Sequence, residues 1–110
     1  MKVGIDIIST KKFGKIKRDD YKNWSKVFHP NEWDYAFKDK SFKEHLAGIF
    51  AAKEAAMKAY GEAGYEHFLD WQVKHAPAPK LIKKRARKSL RFFLSISHAN
   101  GLALAIVIIN

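Results

Sequence analysis

Lys53 stands at the centre of an apolar helical stripe, where a charge is rarely placed unless its head reaches water or an anion. Asp6 interrupts the β-branched run Val3 to Ile8, VGIDII, and a carboxylate buried in a strand needs a cation or donors. Glu54 and Lys58 lie together at the edge of the stripe, one helical turn apart. Ser97 and His98 close the segment SISH just before a turn. Adjacent residues on a strand point to opposite faces, so these two make a poor nucleophile and base but a suitable pair of phosphate donors. Four of these residues also have a plain reading. Glu54 and Lys58 form an ordinary i,i+4 helix pair, Asp6 bonds backbone at a strand end, and His98 caps a turn.

The element that must carry Lys53, Glu54 and Lys58 is a helix over Ser41 to Gly61, SFKEHLAGIFAAKEAAMKAYG. Ser41 with Glu44 reads as a capping box, Gly61 as the C′ stop, and the interior residues are strong helix formers. At about 100° per residue, Phe42, Leu46, Ile49, Phe50, Met57 and Tyr60 share one stripe around Lys53. The other faces carry alanines and Gly48 where a solvent-facing helix shows Lys and Glu, so backbone is expected close by on several sides. Around this helix, VGIDII reads as a buried or central strand. Thr10 to Trp24 reads as one or two short helices presenting Lys11, Lys12, Lys15, Lys17 and Arg18. His29-Pro30-Asn31-Glu32 opens another helix, with Pro at its first position. Asp70 to His75 alternates like a short strand, and the two prolines in Ala76 to Lys80 predict an extended connection. Lys83 to Arg91, KKRARKSLR, is a basic face, helical or looped. Leu90 to His98, Asn100-Gly101 and Leu102 to Ile109 form a hairpin signal with the favoured type I′ pair.

A chain of 110 residues is one domain, 1–110, and 47% hydrophobic content argues against disorder. Its net charge of +10 predicts an acidic partner: nucleic acid, an anionic membrane surface, a phosphorylated ligand or an acidic protein. The absence of cysteine excludes disulfides and thiolate chemistry and fits the cytosol. The longest apolar run, Leu102 to Ile109, is too short for a membrane span, and MKVGIDII lacks the features of a signal peptide, so a soluble cytoplasmic protein is expected.

GIDII at the start, FAAKEAAMKAYG on the helix and SISH before the last strand, in that order, resemble the phosphopantetheinyl transferases, in particular the short single-half type typified by holo-acyl-carrier-protein synthase. The pattern aromatic-x-x-Lys-Glu-x-x-x-Lys stands here as Phe50, Lys53, Glu54 and Lys58. VFHPNEWDYAF is similar to the family's segment before that helix, at Phe28, Glu32 and Tyr35. The resemblance implies an α+β fold, a small mostly antiparallel sheet wrapped on the long central helix. It implies transfer of the phosphopantetheine arm of coenzyme A to a serine of an apo acyl carrier protein, of fatty-acid or secondary metabolism, leaving adenosine 3′,5′-bisphosphate. By the same resemblance, Asp6 and Glu54 hold Mg²⁺ on the diphosphate and Lys58 meets the phosphates, these three being the catalytic set. Lys53, Lys58, Gly61, Ser97 and His98 contact coenzyme A, and Lys12 and Arg18 face the acidic carrier. A homotrimer with sites between subunits is implied as well.

Two departures bear on that expectation. Ser9 stands three residues past Asp6, where the family usually has Glu, and Lys12 replaces an Arg. Ser9 suggests a degenerate homologue that binds without transferring. From another class, Lys83 to Arg91 with exposed aromatics would suit a nucleic-acid-binding module, which leaves Asp6, Lys53 and Glu54 unexplained.

Overall fold

Why the central helix ends where it does is visible at both termini. The structure, a computed structural model, describes residues 1–75 and 77–110. In it α3 spans Phe42–Tyr60. At its start Ser41 takes φ −87° and ψ 30° and its side chain caps nothing, so the expected capping box with Glu44 is absent. Asp39 serves instead, accepting from the Ser41 N–H at 2.8 Å and lying 3.1 Å from His45 Nε2. At the other end Gly61 adopts φ 90°, and its N–H and that of Glu62 both reach the Met57 carbonyl at 2.8 Å. A Cβ at Gly61 would meet nothing within 4 Å, so it is the left-handed backbone, not close packing, that calls for glycine there.

Leu46, Ile49, Phe50 and Met57 are buried as the stripe predicts, each side chain contributing roughly 1.5–3 kcal/mol on full burial. The alanine faces are buried too. β1, Lys2–Ser9, lies directly on one of them: a Cβ at Gly4 would collide with the Ala55 carbonyl oxygen. Glycine at this position lets the strand settle onto the helix, and Asp6 two residues later settles with it.

β1 pairs antiparallel with β5, Leu102–Ile109, which pairs antiparallel with β4, Phe92–Ala99, in the order β1-β5-β4. The β4–β5 turn has Asn100 at φ 52° and Gly101 at φ 73°, the two left-handed positions of the type I′ turn read from the sequence. β1 is an edge strand, which corrects the expectation of a central one. Its β-branched residues are not buried on both sides: Val3, Ile5 and Ile7 point away from α3 and are each more than half exposed. On the inner face Ala103, Ala105 and Val107 of β5 are buried against the helix.

Before α3 come 3₁₀ turns at Thr10–Phe13 and Arg18–Asp20, then α1, Tyr21–Trp24, and α2, Pro30–Ala36. After it, β2, Trp71–Lys74, pairs with β3, Lys80–Lys83, in a separate hairpin. The extended connection expected over Ala76–Lys80 begins on Ala76, which lies outside the described residues; Lys80, at its end, belongs to β3. The basic segment after Lys83 is a loop rather than a helix, with Arg85 at φ 59°.

Candidate functional site

Asp6 points from β1 toward α3, its side chain 10% exposed. Lys58 does not pair along the helix with Glu54. Its ammonium crosses to the strand, donating to Asp6 Oδ1 at 3.0 Å and to the Ile5 carbonyl at 3.1 Å. The plain reading of an i,i+4 helix pair therefore fails here. Asp6 Oδ2 is buried and has no hydrogen-bond partner. An orphaned carboxylate oxygen is costly unless something outside the chain completes it.

Glu54 is the second carboxylate. Burial pushes its carboxyl above the ordinary 4.5, the Asp6 charge pushes it the same way, and Lys58 and Lys12 pull it back. A carboxyl raised by burial and by a neighbouring carboxylate, with two ammonium groups acting on it, has the chemistry to hold a cation and a phosphate together. The donor set fits Mg²⁺: hard carboxylate oxygens, one of them unpartnered. A cleft of about 330 Å³ opens beside this centre, lined by Phe50, Glu54, Met57, Lys58, Tyr65 and Phe68. Its apolar wall from Tyr65 and Phe68 was not read as functional, and their spacing beyond Gly64 carries no motif that would mark them.

Lys53 was expected to contact coenzyme A, and the structure places it elsewhere. Its side chain is fully buried, with Nζ 2.7 Å from both Glu32 Oε1 and the Val27 carbonyl. Burial lowers its pKa from 10.5 and Glu32 opposes that shift. The anion foreseen for this lysine is thus a carboxylate of the same chain.

Lys12 is exposed on the first 3₁₀ turn with its ammonium 5.0 Å from the centre of the Phe50 ring, close enough to act on Glu54. Arg18 lies 3.3 Å from Asp34 in an exposed pair, the kind worth little to stability. Ser9, the departure from the family pattern, caps the 3₁₀ turn by accepting from the Lys11 N–H at 3.2 Å. Ser97 and His98 do not join Asp6 within one chain. They sit on β4, with β5 between them and β1. Ser97 shares the outer face with Ile5 and Ile106. His98 points inward, Nε2 2.9 Å from the Glu44 carbonyl, onto a cavity of about 120 Å³ shared with Tyr35, His45, Gly48 and His75. His75 stacks on Tyr35 at 3.6 Å and is held to a pKa of about 4, chiefly by burial and then by His45 and Lys38.

Among the described residues one other grouping has metal-ligand chemistry: Glu62, His67 and Asp70. His67 Nδ1 lies 2.8 Å from Glu62 and 3.4 Å from Asp70, and Lys83 lies 4.0 Å from Glu62, whose buried Oε1 has no hydrogen-bond partner.

Residues 2–107 match the sequence model of the 4′-phosphopantetheinyl transferase superfamily. The chain is 39% identical to the holo-[acyl-carrier-protein] synthase of Campylobacter jejuni subsp. jejuni serotype O:23/36 (strain 81-176), covering 99% of each. It is 30% identical to that of Geobacter sp. (strain M21), covering 97% of this chain and 95% of the relative. Among solved structures, it is similar to Helicobacter pylori holo-[acyl-carrier-protein] synthase in complex with coenzyme A, with a TM-score of 0.82 and 33% identity over 98% of this chain and 99% of that one. A Bacillus anthracis str. Ames holo-(acyl-carrier-protein) synthase, in complex with CoA (3′,5′-ADP), gives a TM-score of 0.78 and 35% identity over 98% of this chain and 94% of that one.

Proposed function

The chain belongs to the 4′-phosphopantetheinyl transferase superfamily, and from that premise we propose that it moves the 4′-phosphopantetheine arm of coenzyme A onto a serine hydroxyl of an acidic apo acyl carrier protein, releasing adenosine 3′,5′-bisphosphate. The observation that carries this reading is the Asp6–Glu54–Lys58 centre, with a buried carboxylate oxygen that nothing in the chain satisfies.

Asp6 and Glu54 are the residues that hold Mg²⁺ in this reading, and the ion when bound neutralises charge on the diphosphate from which the arm departs. Lys58 adds a fixed positive charge beside Asp6, where negative charge builds on the transferring phosphoryl group. Gly61, just past the end of α3, leaves room for the coenzyme because no side chain projects there. The apolar cleft walled by Met57, Tyr65 and Phe68 suits the pantetheine arm and keeps bulk water from the reacting phosphorus.

The carrier approaches the basic segment that bears Lys11, Lys12, Lys15 and Arg18, all exposed, so association is fast and weakened by salt. The apolar outer sheet face, including Val3, Ile5, Leu104 and Ile106, is in this reading the surface on which copies assemble as a homotrimer. A second copy then supplies Ser97 and His98, which one chain keeps apart from Asp6. The work is done in the cytoplasm.

The test is to incubate the protein with coenzyme A, Mg²⁺ and a panel of apo carriers, and to separate the nucleotides by chromatography. Adenosine 3′,5′-bisphosphate that accumulates only when carrier and metal are both present supports the reading. Coenzyme A left intact with every carrier contradicts it.

A further inference from the structure

Lys53 and Glu32 meet 2.7 Å apart with no exposure of either side chain. The Lys53 ammonium also donates to the Val27 carbonyl at 2.7 Å, while the Glu32 carboxylate accepts from the backbone N–H of His29 at 2.7 Å and of Val73 at 2.8 Å. One pair therefore ties α3 to the α1–α2 connection, to the first turn of α2 and to β2.

A buried ion pair is a poor device for stability as such. Desolvation offsets the attraction, and well-packed apolar replacements are often as stable. What it has is direction: only one rotation and one axial position of α3 satisfy all four hydrogen bonds. The helix needs such a device. Ala47, Ala51, Ala52, Ala55, Ala56 and Ala59 clothe its buried surface, and a surface of such low relief permits close approach while defining register weakly. In coiled coils a single polar residue in an apolar seam fixes register at some cost in stability. Lys53 occupies the corresponding place in an apolar stripe, immediately before Glu54. A slide of α3 by one residue, about 1.5 Å with a turn of about 100°, carries Glu54 away from Asp6.

We propose that Lys53 and Glu32 are positioning residues, holding α3 in the one register at which Glu54 faces Asp6, and that neither touches the coenzyme. The proposal rests on the reading of Asp6 and Glu54 as the metal-binding acids.

The test is the double variant Lys53→Met/Glu32→Gln, which removes both charges and leaves neither uncompensated. Mn²⁺ in the presence of coenzyme A is titrated calorimetrically at a temperature where circular dichroism shows native helix, and turnover is measured alongside. The expected result is Mn²⁺ binding at least tenfold weaker and kcat at least tenfold lower, with KM for the carrier within twofold of the parent. A folded double variant that matches the parent within twofold in Mn²⁺ affinity and kcat overturns the proposal, since a merely structural pair behaves that way.

If the double variant does not fold, the parent decides. With ¹⁵N-labelled lysine, the Lys53 ammonium signal exchanges slowly and stays in place when coenzyme A and Mn²⁺ are added; a signal that shifts and loses protection makes Lys53 a coenzyme contact and overturns the proposal. Asp6→Ala in the same titration separates the two failures. Unchanged Mn²⁺ affinity there overturns the assignment of the site itself, whereas weakened affinity there with a parent-like double variant overturns the positioning role alone.

Discussion

Two charged clusters sit on adjacent residues of one helix, and they differ in almost every physical respect. Lys53 with Glu32 is sealed, and the ammonium nitrogen and both carboxylate oxygens each have a partner within the chain. Asp6 with Glu54 and Lys58 is half open. One carboxylate oxygen is orphaned, one acid has its proton affinity raised, and the lysine side chain is 55% exposed. A closed cluster has little left to give a ligand, and the role proposed for it is geometric. The open cluster keeps an unpartnered oxygen and an exposed ammonium, and the role proposed for it is to hold a cation and a phosphate. Burial of charge alone does not mark a site.

The sharpest way to break that contrast is to remove the orphaned acid. Asp6→Ala is expected to cut transfer by roughly 10³-fold or more, an effect on the scale of losing a metal from phosphoryl transfer. Helix content by circular dichroism should match the parent, because the open cluster is not scaffold. Chelating the metal should give the parent a loss of the same order, reversed by adding Mg²⁺.

Lys58→Ala comes next, with kcat lower by roughly 10²-fold, comparable to deleting one preorganised charge donor. Steady-state assays at saturating coenzyme A check this, and a loss confined to KM would move Lys58 from the reacting phosphate to mere binding.

Glu54→Gln sharpens the comparison through stability. A carboxyl whose folded pKa lies above its unfolded value binds more protons when folded, so its contribution is full below the unfolded value and is lost as pH rises through the folded one. Native stability carries the penalty of charged Glu54 at neutral pH. The variant should therefore melt higher than the metal-free parent at pH 7, with no advantage below about pH 4.5, the ordinary carboxyl value. Thermal melts at both pH values decide it.

Arg18→Ala should do least. Its pair with Asp34 is exposed, so the change in stability is expected to stay below about 1 kcal/mol. A slower association with the carrier at low salt, vanishing at high salt, is the measurable effect.

Backbone patterns confined to one element were mostly legible in the sequence, whereas the partners side chains choose were not: the Ser41–Glu44 capping box and the Glu54–Lys58 pair, both local, do not form. The α3 stripe, the Gly61 stop and the Asn100-Gly101 turn are local, and each stands as read. Asp6 and Glu54 were paired only through a resemblance, since 48 residues of chain separate them and no periodicity links them. Lys53 was rightly singled out as an oddity, and the anion its ammonium meets is Glu32. Its partner lies on α2: Glu32, read from the sequence as a residue that opens a helix, is fully buried. β1 misled for a related reason. A β-branched edge strand whose outer face is apolar has the same composition as a strand buried on both sides, and the sequence does not say whether a second copy or the same chain covers that face.

The measurement that bears most directly on the open cluster is the intact mass of a panel of apo carrier proteins after incubation with coenzyme A and Mg²⁺, using the parent and Asp6→Ala side by side. The account predicts a gain of one phosphopantetheine on a carrier with the parent, none without metal, and none with Asp6→Ala. The same gain with Asp6→Ala, or no gain on any carrier with the parent, would contradict it.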